Sequence, residues 1–145
     1  MIAVLQRVSS ASVEVSAETV GAIGPGLLVL LAFERVDSDA QQASFLERVL
    51  GLRVFADAAG KMNLSLRDVA GGLLIVPQFT LAADTASGRR PGFAQAAEPA
   101  VARALFEAFV SRARVAYEPV AAGRFGADMQ VRLVNEGPAT FILRS

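Results

Sequence analysis

Two apolar stretches constrain the fold of this chain more than any other feature. Leu27–Phe33 is the longest unbroken apolar run, and Gly72–Phe79 is a second, nearly continuous one. A strand that is apolar at successive positions has both faces covered, because neighbouring side chains point to opposite sides of a sheet. Leu27–Phe33 is also far shorter than the roughly 20 residues that span a bilayer. We therefore expect two fully buried strands and no membrane-spanning segment.

Strands of more mixed composition lie near both ends of the chain. Ile2–Val8 is largely apolar, whereas apolar and polar residues alternate over 12–16, 128–133 and 140–144, as in half-exposed strands. The stretch Asn135–Pro138 contains turn-forming residues, and we expect it to connect two strands as a hairpin.

Two helices are predicted from apolar residues that recur every three or four positions. Ser38 and Gln41 have capping-box spacing at the head of the first helix, and Gly51 marks its end. Pro99 suits the first turn of the second helix. No repeat or linker divides the chain, so residues 1–145 are expected to form a single domain. Because strands follow one another in series at both ends, the predicted fold is α/β (α+β), with a mixed, largely antiparallel, barrel-like sheet and at least two helices.

The composition excludes several kinds of chemistry. The sequence contains neither histidine nor cysteine, which removes Ser-His-Asp machinery, thiol nucleophiles and zinc-thiolate sites. No tight acidic cluster suggests a metal hydrolase, and we expect no cofactor or metal. The 14 basic residues balance the 14 acidic ones, whereas proteins that grip long duplex nucleic acid are usually basic. With no secretory signal pattern visible, the cytoplasm is the expected location.

The segment Gln78–Thr80 ends the second buried strand, where backbone N–H groups often become free to face a ligand. Two such donors can stabilise an oxyanion, and the loss of one typically costs about 3–4 kcal/mol of barrier. Thr80 adds a hydroxyl and Gln78 an amide. Alternatively, these residues only terminate the strand, and the residue pattern alone favours this second interpretation.

Two further segments also allow two interpretations each. Gly137–Pro138 reads as an ordinary trans proline in a hairpin, since only about 5–6% of X–Pro bonds are cis. A cis bond would instead aim consecutive carbonyls in one direction. Arg89 and Arg90, in a loop rich in Gly and Pro, form either a phosphate-binding pair or a solvated surface.

A series of segments matches the motifs of one known family in the same order. They are Met1–Val8, Gly26–Leu31, Arg53–Phe55, Gly60–Ser65, Gln78–Thr85, Arg90–Pro91, Gly123–Phe125, Asp128–Val131, Leu133–Asn135 and Gly137–Pro138. Because these matches are collinear and run from end to end, the chain resembles the D-aminoacyl-tRNA deacylases.

The resemblance implies a homodimer that acts on the 3′ end of aminoacyl-tRNA, with each active site shared between the two subunits. It implies that Gly137 and Pro138 form a cis peptide that enters the partner's pocket and rejects an L side chain. Arg7 matches the residue that tethers this loop, and Met129 belongs to the same substrate-binding set.

The resemblance also implies how the ester is cleaved. Backbone amides near Phe79 and Thr80 would stabilise the oxyanion, with Gln78 near the ribose. The ribose 2′-hydroxyl would assist the attacking water, so that no side-chain base is needed. The implied substrates are D-aminoacyl-tRNA and glycyl-tRNA mischarged on tRNA-Ala, since glycine has no side chain to reject.

One position departs from the family motif, which normally begins with Ser where this chain has Pro77. The substitution removes a hydroxyl and a backbone N–H. A related branch carries proline there and acts on L-alanyl-tRNA, whereas Phe79 and Arg7 agree with the main branch. The alternatives are therefore this sister activity and a non-catalytic nucleic-acid-binding module that uses arginines such as Arg89 and Arg90.

Overall fold

One long strand organises the sheet. A computed structural model describes residues 1–86 and 88–145 of the chain. In it, β1 (Ile2–Val15) pairs antiparallel with β3 (Gly26–Ala32) along its first half and with β2 (Glu18–Ile23) along its second half. The sequence predicts β1 as two separate strands, but the polar residues between them continue the strand instead of turning the chain.

Two further pairings of the sheet are parallel. β3 pairs with β6 (Gly72–Pro77), and β6 pairs with β7 (Val120–Ala122). β2 then approaches β7 so closely that a Cβ added at Gly21 would lie 2.8 Å from the carbonyl oxygen of Ala122. Glycine makes this approach possible, and the sheet curls into a nearly closed barrel. The mixed, barrel-like sheet expected from the sequence is thereby confirmed.

Helices cover one face of the sheet. α1 (Gln42–Gly51) and α3 (Pro99–Ala116) are the two predicted helices. Where they meet, the rings of Phe45 and Phe109 lie edge to face with centroids 6.3 Å apart. No helix in the described residues is long and apolar enough to span a bilayer. The smaller elements are β4 (Phe55–Ala56), β5 (Met62–Leu64) and the single-turn α2 (Leu66–Val69).

Both apolar strands are buried on both faces, as predicted. Leu27 and Leu73 belong to the core between the sheet and the helices, whereas Leu28 and Leu74 belong to a second core inside the barrel. All four side chains are fully buried. Full burial of one such side chain contributes about 1.5–3 kcal/mol, so these two strands are a major source of stability.

The predicted hairpin at 135–138 is wrong. β8 (Gln130–Arg144) is one strand that pairs antiparallel with β1 on both sides of this segment. Val8 pairs with Asn135 and Gln6 with Thr140, so residues 136–139 bulge away from the ladder opposite a single residue of β1. The side chain of Asn135 closes the bulge, because its Oδ1 accepts from the Ala139 N–H at 2.7 Å.

Candidate active site

A cavity of about 480 Å³ opens where β6 ends. Gln78, Phe79 and Met129 line it, so the fold brings together three of the predicted site residues from distant parts of the sequence. Its walls also include Phe125 and the first turn of α3. A volume of this size lies within the range of about 300–1,000 Å³ that is typical of small-molecule sites.

The backbone leaves the sheet at this cavity. The Gln78 N–H makes the last contact with β3 by donating to the Leu31 carbonyl at 2.8 Å. The chain then turns into a short 3-10 helix, Phe79–Ala82. The N–H groups of Phe79 and Thr80 have no acceptor among residues 1–86 and 88–145. Two adjacent main-chain donors are therefore free in the turn that starts at the cavity, and Phe79 is the one of the two residues that lines it. A pair of such donors is what an oxyanion site would need.

The side chains of Gln78, Phe79 and Thr80 lie differently relative to the cavity. The Gln78 side-chain amide donates to the Thr80 hydroxyl at 2.5 Å, which fixes its orientation. Thr80 is not among the residues that line the cavity. Phe79 is 57% exposed and packs against Phe93, with ring centroids 5.2 Å apart. An apolar aromatic pair thus stands at the cavity, and Phe93 was not expected from the sequence because it lies in a loop without regular pattern.

Pro77, which departs from the family motif, also lines the cavity. Its Cδ would lie 3.3 Å from a Cβ added at Gly123, and Met129 Sδ would lie 3.0 Å from the same position. Gly123 therefore allows the proline ring and the thioether to approach each other across the cavity wall. No group of three or more carboxylates suited to a metal ion occurs in the described part of the chain.

The bulge of β8 forms a second cluster around Arg7. The Arg7 guanidinium donates from Nε to the Glu136 carbonyl at 3.1 Å and from Nη1 to the Val54 carbonyl at 2.5 Å. It also packs on Gly137, where an added Cβ would lie 2.8 Å from Arg7 Nη2. Gly137 has a φ of 128°, a conformation that favours glycine, and the Gly137–Pro138 bond is cis.

Neither Arg7, Gly137 nor Pro138 lines the cavity of its own chain. Gly137 and Pro138 are exposed at the surface. Arg89 and Arg90 are exposed too and do not line the cavity. The predicted site residues therefore fall into a cavity group, a bulge group and a loop pair.

The sequence of the chain matches a family model over nearly its whole length. The model described as D-Tyr-tRNA(Tyr) deacylase matches residues 4–144, and the chain belongs to this family.

Individual relatives match over nearly the whole chain. A protein of Thioalkalivibrio sulfidiphilus (strain HL-EbGR7), named D-aminoacyl-tRNA deacylase, is 62% identical over 143 residues, which are 99% of this chain and 96% of the relative. A protein of the same name from Pseudomonas syringae pv. tomato is 57% identical over 145 residues, which are 100% of both chains.

Solved structures share the fold. The protein titled c-Myc DNA Unwinding Element Binding Protein superposes with a TM-score of 0.95 at 38% identity, covering 100% of this chain and 99% of its own. A probable eukaryotic D-amino acid tRNA deacylase gives a TM-score of 0.86 at 22% identity and covers 98% of this chain and 97% of its own. The latter supports the fold alone.

Proposed function

We propose that this enzyme hydrolyses the ester between a D-amino acid, or glycine, and the 3′ adenosine of tRNA. The observation that carries the proposal is the pair of free N–H groups at Phe79 and Thr80, in the turn where Phe79 lines a cavity of about 480 Å³. Relatives that are 57–62% identical over nearly the whole chain are named D-aminoacyl-tRNA deacylase.

The reaction uses main-chain groups and the substrate itself. Water adds to the ester carbonyl, and the Phe79 and Thr80 N–H groups stabilise the oxyanion that forms. The bond between the carbonyl carbon and the ribose 3′ oxygen then breaks, and that oxygen takes up the proton lost by the water. The ribose 2′-hydroxyl assists this transfer. In this proposal Gln78, whose side-chain amide donates to the Thr80 hydroxyl, contacts the ribose.

The chiral selection belongs to the bulge of a second subunit. In the proposed homodimer, Gly137 and Pro138 enter the partner's cavity and leave no room for an L side chain, so selection works by rejection. Two observations support this: the bulge does not reach its own cavity, and Arg7 holds it from behind through Glu136. The D side chain would project away from the bulge, which makes the enzyme tolerant of many D-amino acids.

A surface suited to this dimer lies on β8. Its outer edge pairs with no other strand in the described residues. Val134 and Ile142 on it are 57% and 67% exposed, and Leu133 is 36% exposed. Exposed apolar side chains on an unpaired strand edge are typical of a surface that another chain covers. A two-fold dimer through β8 would bury them and keep the bulge at the interface.

A second candidate function is non-catalytic binding of nucleic acid. The observation that favours it is the name of the structure that is 38% identical, which describes DNA binding. The balanced charge of the chain speaks against broad binding to long duplexes. This candidate predicts salt-dependent binding of long nucleic acid without deacylation. The sister activity on L-alanyl-tRNA, motivated by Pro77, predicts release of L-alanine instead.

Matched D- and L-tyrosyl-tRNA test these alternatives together. We expect the purified protein to release D-tyrosine and to leave the L ester intact, and to release glycine from glycyl-tRNA. L-alanyl-tRNA serves as the fourth substrate, and we expect it to remain intact. Cleavage of both enantiomers, or of neither, would refute the proposal. Light scattering on the same sample measures the mass, and a monomer that still separated the enantiomers would exclude a shared site.

A terminal ribose without its 2′-hydroxyl tests the mechanism separately. We expect hydrolysis of this D-tyrosyl ester to be strongly slowed. Hydrolysis at the full rate would show that the nucleotide does not take part in its own cleavage.

A further inference from the structure

A second cavity, of about 310 Å³, lies next to the first. It runs between α3 and the segment 122–125, which comprises the end of β7 and the residues after it. Phe125 lines both cavities and separates them. We call this second cavity the α3 groove. The α3 groove is open and polar, whereas the cavity beside Phe79 is apolar. Because the two cavities share Phe125, a ligand that occupied both would pass around this one aromatic ring.

Three arginines line the α3 groove, namely Arg103, Arg114 and Arg124. All three are exposed, and none has a hydrogen bond or ion pair to another side chain in the part of the chain that the structure describes. Glu107 is the only acidic residue in the lining. The groove therefore has a positive charge although the chain as a whole is neutral.

Other arginines of the protein are engaged in contacts within the fold. Arg112, on the same helix, contacts both carboxylate oxygens of Asp39 at 2.9 and 3.0 Å. Arg67 pairs with Glu47 at 2.7 Å. Because such partners are present elsewhere on the surface, the unpaired arginines of the groove are positioned to bind an external anion. A guanidinium fork matches a phosphate group bidentately.

Arg103 is held at the boundary between the two cavities. Its guanidinium carbon lies 5.0 Å from the centre of the Phe125 ring, in a cation–π contact. Its Nη2 would lie 3.1 Å from a Cβ added at Gly126, a residue that lines the first cavity. Stacking on Phe125 fixes the plane of the guanidinium and leaves its N–H groups available. The positive charge thus begins at the mouth of the candidate active site and continues along α3 to Arg114.

We propose that the α3 groove binds the phosphodiester backbone of the unpaired 3′ end of tRNA, with Arg103, Arg114 and Arg124 contacting its phosphates. This inference rests on the proposed function. If the terminal adenosine of tRNA occupies the first cavity, the RNA strand that leads to it must leave that cavity along one of its rims. Single-stranded nucleic acid is bound in this way, along a positively charged groove that tracks the backbone. A local patch of three arginines suits a few phosphates and fits a protein without net charge.

The test compares the ester of a whole tRNA with the same ester of adenosine alone, which has no phosphate to contact the groove. The double variant Arg114→Gln with Arg124→Gln is assayed with D-tyrosyl-tRNA and with 3′-O-D-tyrosyl-adenosine. We expect KM for the tRNA ester to rise roughly 10-fold or more, with kcat within about twofold, since charge-assisted contacts to phosphate are lost. The kcat/KM for the adenosine ester should not change. The slope of log KM against log salt should fall by about 1.4, or 0.7 for each lost contact with a single strand.

Two single variants keep the result interpretable. Arg48→Gln removes one positive charge at an exposed residue of α1 that does not line the groove and donates to the Arg144 carbonyl at 2.7 Å. It should leave KM for the tRNA ester within about twofold of wild type, because a single charge outside the groove makes only a non-specific contribution. Glu107→Gln removes the acidic residue of the groove and should lower KM, a gain that misfolding cannot produce. The inference is overturned if the double variant behaves like Arg48→Gln, or if it loses equal activity on the adenosine ester. Failure of the proposed function looks different, because the wild-type protein would then cleave neither ester.

Discussion

Replacing Thr80 by proline tests whether a main-chain N–H carries the chemistry. The substitution removes one of the two free donors beside the cavity, because proline has no N–H. Thr80 lies in the first turn of the 3-10 helix Phe79–Ala82, where no intrahelical hydrogen bond is lost. Thr80→Ala is the matched control. It removes the hydroxyl that accepts from Gln78 at 2.5 Å but keeps the N–H.

The two variants differ in expected magnitude. Loss of one oxyanion donor typically raises the barrier by about 2.7–4 kcal/mol, or 10²–10³ in kcat. One neutral, exposed hydrogen bond contributes about 0.5–1.5 kcal/mol. If its loss raised the activation barrier by this full amount, Thr80→Ala would lower kcat by about 10-fold at most. The proline variant should therefore be at least about 10-fold slower than the alanine variant.

Single-turnover hydrolysis of saturating D-tyrosyl-tRNA measures this difference in kcat. Thermal unfolding of both variants provides the control for folding, and their midpoints should agree. If Thr80→Pro is folded and hydrolyses the ester as fast as Thr80→Ala, the main-chain oxyanion site does not exist at this turn.

Two further predictions concern stability. Arg7→Ala should lower the free energy of unfolding by about 1–3 kcal/mol, because the carbonyl of the buried Val54 loses its donor, whereas the exposed Glu136 carbonyl regains water. Urea unfolding measures this, and an equal loss in Gln6→Ala, whose contact to the Thr140 hydroxyl spans 3.4 Å, would contradict it. Burial raises the pKa of Tyr117, whose hydroxyl donates to the Gly71 carbonyl at 2.5 Å, while Arg67 opposes the shift. The folded form therefore holds this proton more tightly, so its contribution to stability is complete below pH 10 and is lost as the pH rises from there through the raised pKa. Tyr117→Phe should lack this alkaline decline, and because the chain has one tyrosine, tyrosinate absorbance follows the group directly.

The parts of the fold that the sequence predicted are those set by local pattern. β3 and β6 follow from apolar runs that only burial on both faces can accommodate. α1 and α3 follow from their apolar period. β2 was missed because its Gly21 resembles a turn residue. That glycine serves a contact with Ala122, which lies some hundred residues further along the chain.

The same limit applies to the candidate site. Asn135 followed by Gly137 and Pro138 has the composition of a hairpin turn, yet the segment bulges because Arg7 and the Asn135 side chain hold it against β1. The sequence marked Gln78–Thr80 as the end of a buried strand but could not show which N–H groups stay free. That depends on Leu31, a strand away, which takes the Gln78 N–H and leaves the next two unused.

The proposed oxyanion site consists of peptide N–H groups and would respond to mutation differently from a site made of side chains. Nineteen of the amino acids supply an N–H at each of the two positions, so almost any single exchange at Phe79 or Thr80 leaves the donors in place. Damage must instead come from changes that redirect the peptide planes. Substitutions would have this effect at two positions. Leu31 anchors the turn through its carbonyl, and Gly123 lacks a side chain, which lets the opposite wall of the cavity close on Pro77.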